Sequence, residues 1–84
     1  MFTIVADCYF WDDKTESEFT KPMYLGVAYP PMNIYVFDEE YNSRSFRWDN
    51  AKDAEKYLKK HGLDKKNNVN YKNARVEEVE KCTQ

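Results

Sequence analysis

Few side chains in this 84-residue sequence could perform chemistry, and their spacing favours binding over catalysis. His61 is the single histidine and could act as a general base, but no neighbour in the sequence would orient its ring. Its position at the end of a helical pattern instead predicts a cap at the helix C-terminus. The chain has two glycines, and it has no glycine-rich phosphate loop, nucleophile elbow or paired-carboxylate motif. We therefore expect a protein that is not an enzyme.

Acidic residues occur in clusters, which raises the question of metal binding. The clusters are Asp12, Asp13, Glu16 and Glu18; Asp38, Glu39 and Glu40; and Glu77, Glu78 and Glu80. None follows the calcium-loop pattern of alternating acids, a glycine and a distal glutamate. Cys8 and Cys82 are too far apart for a zinc pattern. We expect no metal and no cofactor. Solvated loops are the simplest interpretation of these acids, and an acidic surface that imitates nucleic-acid phosphates for a basic protein is the alternative.

Charge and length bound the class of protein further. The chain has 13 basic and 15 acidic side chains, a net charge of −2, so little counterion release is available to drive nucleic-acid binding. The same balance argues against binding to a membrane surface. The first eleven residues contain Asp7 and no Lys or Arg, unlike a signal peptide, and we expect a cytoplasmic protein with free thiols. A chain of this length forms one domain, residues 1–84, with one core.

Strands are indicated by apolar alternation in four stretches. Residues 2–11 alternate cleanly, and residues 23–29 form a second strand that Pro30 and Pro31 end, because proline cannot donate to a strand ladder. Residues 33–37 and 43–48 predict a third and a fourth strand. The polar stretch 12–21 predicts a long connecting loop, and Asn67 and Asn68 favour a turn.

One helix is indicated after the fourth strand. Asp49 or Asn50 can act as N-cap. The residues that share one helical face are Ala51, Ala54, Leu58 and His61. Gly62 can adopt the left-handed conformation that ends the helix and folds Leu63 back onto Leu58.

The last stretch of the chain is open to two interpretations. Val76, Val79 and Cys82 are spaced like one face of a helix, but a helix with so few apolar residues would be marginal. A final edge strand around residues 71–79 is therefore favoured. The sequence predicts an α+β fold, an antiparallel sheet of four to five strands with one α-helix packed on one face.

Strand alternation divides the apolar residues between the two faces of this sheet. The helix-facing side receives Phe2, Ile4, Cys8, Phe10, Met23, Leu25, Val27, Ile34, Val36, Phe46 and Trp48. The opposite side receives Tyr9, Trp11, Tyr24, Tyr35, Phe37 and Arg47. Tyrosine, tryptophan and arginine are enriched at protein-interface hot spots, so we expect this outer face to bind a partner.

Three alternatives to protein binding by the outer face stay open. The acidic loops could carry the binding instead, with Asp12, Asp13, Asp38, Glu39 and Glu40 as contacts to a basic protein. The outer aromatics could simply stabilise the sheet as cross-strand pairs. They could also form a stacking platform for single-stranded nucleic acid, which the nearby acids disfavour.

Three parts of the sequence form a recognisable combination: the run Lys21-Pro22-Met23-Tyr24-Leu25-Gly26, then Phe46, then residues 50–58. Together they resemble small phage-encoded proteins of low-GC bacteria. Many such proteins are early or anti-defence factors that bind and block a host protein, for example a CRISPR effector or a nuclease. The resemblance implies a non-catalytic inhibitor acting in the host cell cytoplasm. It assigns no functional residue and leaves the partner and the oligomeric state open.

Overall fold

The computed structural model describes residues 1–65 and 70–80 and confirms the predicted α+β fold. Four antiparallel strands form one sheet in these residues: β1 (Phe2–Asp12), β2 (Ser17–Tyr29), β3 (Ile34–Asp38) and β4 (Tyr71–Glu78), in the order β3-β2-β1-β4. Helix α1 (Ala51–Lys60) packs on one face. The C-terminal stretch is thus an edge strand, as favoured above. The predicted turn at Asn67 and Asn68 lies outside the described residues, as does Cys82.

The predicted loop at residues 12–21 is wrong, because β1 and β2 form a long two-stranded ribbon with a four-residue turn. The pairing runs out to Asp12 opposite Ser17. Asp12 accepts a hydrogen bond from the Lys14 amide at 2.9 Å, and Glu16 adopts a positive φ of 49°. Four of the polar residues therefore form a tight turn, and the others extend the two strands. Phe19 stacks on Phe10 with 5.7 Å between the ring centroids. We call residues 8–12 and 17–21 the ribbon end.

The predicted fourth strand at residues 43–48 is also wrong as a regular strand. Pairing between β1 and β2 stops at Val5 and Tyr24, and residues 46–48 lie between the two strands beyond that point. The Phe46 amide donates to the Leu25 carbonyl at 2.9 Å, and Trp48 and Phe2 exchange two backbone hydrogen bonds of 2.9 Å. The Ser45 hydroxyl accepts a hydrogen bond from the Asn42 amide, and the Asn42 side-chain oxygen accepts one from the Arg44 amide. These local hydrogen bonds make the chain turn instead of extending.

A bulge at Gly26 changes which residues of β2 and β3 face the helix. Leu25 pairs with Phe37 and Val27 pairs with Val36, so Gly26 is one extra residue in β2. The strand alternation therefore shifts by one position after Leu25.

The shift makes the predicted facing of the third strand wrong. Phe37 is buried in the core, and Tyr35 packs against the core from the helix side. Val27, Ile34 and Val36, predicted to be buried, are 49%, 45% and 45% exposed. One inserted residue inverts every later side chain because strand alternation has a period of two.

The helix and its ends follow the sequence closely. Asn50 caps α1, its side-chain oxygen accepting from the Asp53 amide at 2.8 Å. Ala54 and Leu58 are buried, whereas Ala51, predicted on the same face, is exposed because it belongs to the first turn. Gly62 has a φ of 64°, as the predicted helix stop requires. The buried core consists of Ile4, Ala6, Cys8, Met23, Leu25, Phe37, Leu58, Leu63, Tyr71 and Ala74. Helix α1 is too short to cross a membrane, and no described helix is long and apolar enough to do so.

Candidate interaction surface

The structure distributes the predicted binding residues over three places. One group lies at or near the open end of the β2–β3 hairpin, away from its turn: Tyr24, Asp38, Glu39, Glu40 and Arg47. A second group lies on or beside the ribbon end: Tyr9, Trp11, Asp12 and Asp13. Tyr35 and Phe37 face the helix side. Trp11 pairs with Glu18, which is six residues from Tyr24 along β2. That separation corresponds to about 20 Å of strand, so the predicted residues do not form one site.

Tyr35 and Phe37 stabilise the fold on the helix side. The Phe37 ring lies 4.9 Å from that of Tyr71, and the Tyr35 hydroxyl is hydrogen-bonded to Nδ1 of His61 at 3.3 Å. Burial raises the pKa of the adjacent Tyr57 hydroxyl, and the Tyr35 hydroxyl raises it further, so Tyr57 stays neutral at physiological pH. The outer aromatic platform that sequence alternation predicts is therefore not assembled, because two of its members point the other way.

A different apolar surface occupies the outer side of the β2–β3 hairpin. It consists of Val27, Tyr29, Met32, Ile34 and Val36, which are 49%, 55%, 64%, 45% and 45% exposed, and we call it the hairpin surface. Val27 is opposite Val36 and Tyr29 is opposite Ile34, so four of the five side chains form two cross-strand pairs. At these exposed fractions the surface amounts to on the order of 500 Å², near the upper end of what the largest apolar patch of a monomer shows.

Sequence alternation missed this surface, but the sequence contains a signal for it. Residues 22–37 include no Asp, Glu, Lys or Arg, although 33% of the chain is charged. A core hairpin would also be uncharged, so the signal becomes informative only once the bulge at Gly26 turns half of these side chains outward.

Polar and aromatic residues border the hairpin surface along β2. The Tyr24 ring lies 5.9 Å from that of Tyr41, and the Arg47 guanidinium lies 5.8 Å from the Tyr41 centroid. Arg47 also donates to the carbonyls of Asn42 and Ser43 at 3.0 and 3.1 Å. Arg47 thus stabilises the turn that follows β3, and this intramolecular role accounts for its position.

The acidic residues after β3 lie at one end of the hairpin surface. Asp38 is opposite Tyr24, and its carboxylate occupies the space that a side chain at Gly26 would need. Glu39 is exposed and pairs with Lys21 at 4.0 Å, and Glu40 is exposed. The surface therefore has an uncharged centre and a negative end.

The ribbon end presents a single large aromatic side chain to solvent on its outer face. Trp11 is 61% exposed, whereas Tyr9 lies under the Lys72 ammonium, 5.5 Å from the ring centroid. Farther along the same face, Asp7 accepts from Arg75 at 3.1 Å. This charged network lies on β1 and β4, away from the hairpin surface, which lies on β2 and β3.

Cys8 is a free thiol, as predicted, and it is buried. Burial, with a smaller contribution from the Asp7 carboxylate, raises the pKa of the Cys8 thiol to about 11. A thiol with that pKa is a poor nucleophile and a poor metal ligand at neutral pH. Within residues 1–65 and 70–80, no group of three or more His, Cys, Asp or Glu side chains is arranged to hold a metal ion.

Comparison of the chain with protein-family models, with curated proteins and with solved structures found no match. What the hairpin surface can bind follows from its own geometry. Apolar side chains on a rigid two-stranded element can bury area against another macromolecule, and they offer no group for proton transfer or covalent catalysis.

Proposed function

We propose that this chain is a non-catalytic protein-binding module that contacts its partner through the hairpin surface. The observation that supports the proposal is the joint exposure of five large apolar side chains within residues 22–37, a stretch without charged residues. Exposing such side chains to water is unfavourable by roughly 25 cal/mol per Å², so burying them against a partner is a driving force for association. Strand pairing holds four of them in place, which reduces the entropy lost on binding.

The charges around the hairpin surface define the partner's chemistry. An uncharged centre beside Asp38, Glu39 and Glu40 fits a protein with an apolar depression that is flanked by lysines and arginines. Nucleic-acid-binding proteins carry such basic surfaces. The most concrete form of the proposal is a phage-type inhibitor that acts in the host cytoplasm and blocks a basic defence protein, such as a CRISPR effector or a nuclease.

The test compares variants of the two ends of β2. Wild-type protein, Val36→Asp and Trp11→Ala are used to purify partners from bacterial lysate, and a protein retained by the wild type is then purified and titrated by calorimetry. We expect Val36→Asp to weaken its affinity by about 30-fold or more, as loss of a hot spot does, and Trp11→Ala to leave it unchanged. The proposal fails if Trp11→Ala is the variant that loses binding.

A second copy of the chain could occupy this surface instead of a partner protein. Light scattering distinguishes the two cases because it measures the oligomeric state. We expect a monomer at micromolar concentration. A dimer that dissociates in the Val36→Asp variant would assign the hairpin surface to self-association and overturn the proposal. Thermal melting of each variant establishes that the fold is retained.

The acidic end has its own test. Glu40→Lys should slow association with the purified partner and weaken the dependence of the association rate on salt, because charges at an interface rim act mainly on the encounter. Glu16→Lys, in the turn of the ribbon end, is the matched charge reversal and should leave the rate unchanged. Equal effects of the two reversals would show a general dependence on net charge and would contradict an acidic contact at residues 38–40.

A further inference from the structure

A groove on the helix side of the molecule combines aromatic rings with positive charge. It has a volume of about 290 Å³ and is lined by Trp48, Asp53, Lys56, Tyr57 and Lys60. It is formed by helix α1 and the segment that lies between β1 and β2, and the protein-binding proposal uses none of its residues.

The floor of the groove is a fixed aromatic platform. The ring centroids of Trp48 and Tyr57 are 5.1 Å apart with the ring planes inclined at 46°, and the Phe46 ring lies 6.1 and 6.0 Å from them. Trp48 is further fixed by its two backbone hydrogen bonds to Phe2. Both rings are half-buried, so each packs on the core and still presents part of its surface to solvent.

The wall of the groove is positively charged. Lys56 and Lys60 are one helical turn apart, and Lys52 precedes them by another turn on the same side of α1. In the described part of the chain none of these three ammonium groups lies within 4.0 Å of a carboxylate, whereas Lys59 on the adjacent face is paired with Asp64. Among the described residues the wall therefore has an excess of positive charge, with Lys56 and Lys60 set against the single carboxylate of Asp53.

We propose that this groove binds a nucleotide, with the base stacked on the ring of Trp48, its edge against Tyr57, and the phosphate held by Lys56 and Lys60. A ligand must be both planar and anionic to use the floor and the wall together. Asp53 also lines the groove, and its carboxylate can accept a hydrogen bond from an exocyclic amino group, which favours adenine, cytosine or guanine over uracil. The volume is suited to one nucleotide, either free or as a single residue of a nucleic-acid strand.

The fluorescence of Trp48 can report ligand binding in the groove. In a Trp11→Phe variant Trp48 is the only tryptophan, and AMP is titrated to about 5 mM while tryptophan emission is recorded with excitation beyond the AMP absorption band. We expect saturable quenching with a dissociation constant between about 0.1 and 1 mM, which is appropriate for one stacked base and one phosphate. Adenosine, which has no phosphate, should bind about 10-fold more weakly.

Variants separate the groove from a general effect of charge. In the Trp11→Phe background, Lys60→Gln should weaken AMP binding by about 5-fold or more, and Tyr57→Leu by about 10-fold. Lys59→Gln removes an equal charge from the adjacent helical face, outside the groove, and should leave binding unchanged. Absence of saturable quenching, or equal losses for Lys59→Gln and Lys60→Gln, would overturn the proposal.

The source of the nucleotide is decided by a parallel titration with a six-residue oligodeoxyadenylate. Binding comparable to that of AMP supports a free nucleotide as the ligand. Binding at least 10-fold tighter, with a steep loss on addition of salt, supports a single strand that continues along Lys52. Amide chemical-shift changes confined to residues 46–60 are expected in both cases, and changes centred on the outer face of β1 would contradict the assignment.

Discussion

The two ends of β2 both extend beyond the helix-covered core, and they differ in charge. The ribbon end carries acids in and around its turn and exposes Trp11, whereas the β2–β3 hairpin has no charged residue from position 22 to 37 and exposes five apolar side chains. Both ends contain aromatic residues, so aromatic content does not distinguish them. The comparison shows that charge and strand facing, rather than aromatic content, distinguish the two ends.

The largest expected effect tests that facing directly on β3. Phe37→Ala should destabilise the fold by about 3–5 kcal/mol, because it empties a packed site beside Tyr71. Val36→Ala, one residue earlier, should cost less than about 0.5 kcal/mol, because that side chain is 45% exposed. The free energies of unfolding follow from urea titrations. If the two effects are reversed, the hairpin surface points toward the helix and the comparison of the two ends fails.

Burial at the base of the ribbon end gives the next largest effect. The Cys8 thiol has a pKa of about 11, raised from 9.0, so its thiolate is about 100-fold less populated near pH 8 than that of an unfolded thiol. We expect Cys8, in a Cys82→Ser background, to be labelled at least 100-fold more slowly in native protein than in urea. Labelling at the same rate in both would show that the ribbon end opens at this position.

The same pKa sets a pH dependence of stability. The folded state retains the Cys8 proton up to about pH 11, whereas the unfolded state loses it above pH 9.0. This contribution to stability is therefore complete below pH 9 and declines as the pH rises from about 9 to 11. Comparing unfolding midpoints of Cys8→Ala and its parent over this range measures the decline, which the variant should lack.

The bulge at Gly26, which shifts the alternation of β2, is the basis of a fourth prediction. Gly26→Ala should destabilise the protein by about 1–3 kcal/mol, because the new methyl group would collide with the Asp38 carboxylate. Asp38→Ala should relieve most of that cost, so the double variant should be more stable than the sum of the single changes predicts. Additive single effects would show that Asp38 does not hold the bulge in place.

The smallest effect concerns the ribbon end. Trp11→Ala should cost about 1 kcal/mol or less, because the side chain is 61% exposed and contributes mainly cross-strand contact with Glu18. Thermal melting measures it. A cost of several kcal/mol would mean that Trp11 is packed, and the ribbon end would then resemble the hairpin more than we describe.

Much of the fold could be predicted because local patterns agree with the final structure. The alternation of β1, the Asn50 cap and the left-handed Gly62 depend on neighbours along the chain, so the sequence reveals them. The favoured edge strand at Tyr71–Glu78 was correct because that stretch lacks the apolar residues that a helix would need.

The errors arose where a single residue or a distant contact decides the structure. The Asp38 carboxylate lies across the hairpin in the space that a side chain at Gly26 would need, and no local pattern indicates the bulge. Residues 46–48 gain their hydrogen bonds from Phe2 and Leu25, which are more than 20 positions away. These two events moved Tyr35 and Phe37 to the helix side and created the hairpin surface and the aromatic groove.

Strand β1 has a consequence for how the chain folds during translation. Strand β1 lies inside the sheet and pairs with β4 on one side. Because Phe2 pairs with Glu78, the hydrogen bonds between β1 and β4 cannot all form until residue 78 has been synthesised. Ribosomes add roughly 5–20 residues per second, which leaves the β4 side of the first strand unpaired for several seconds. Pairing over such sequence separations also places the domain among slower folders, on the millisecond-to-second scale, even after synthesis ends. The β4 side of the first strand is therefore an open strand edge until synthesis nears residue 78, and an open edge of this kind can pair with other chains.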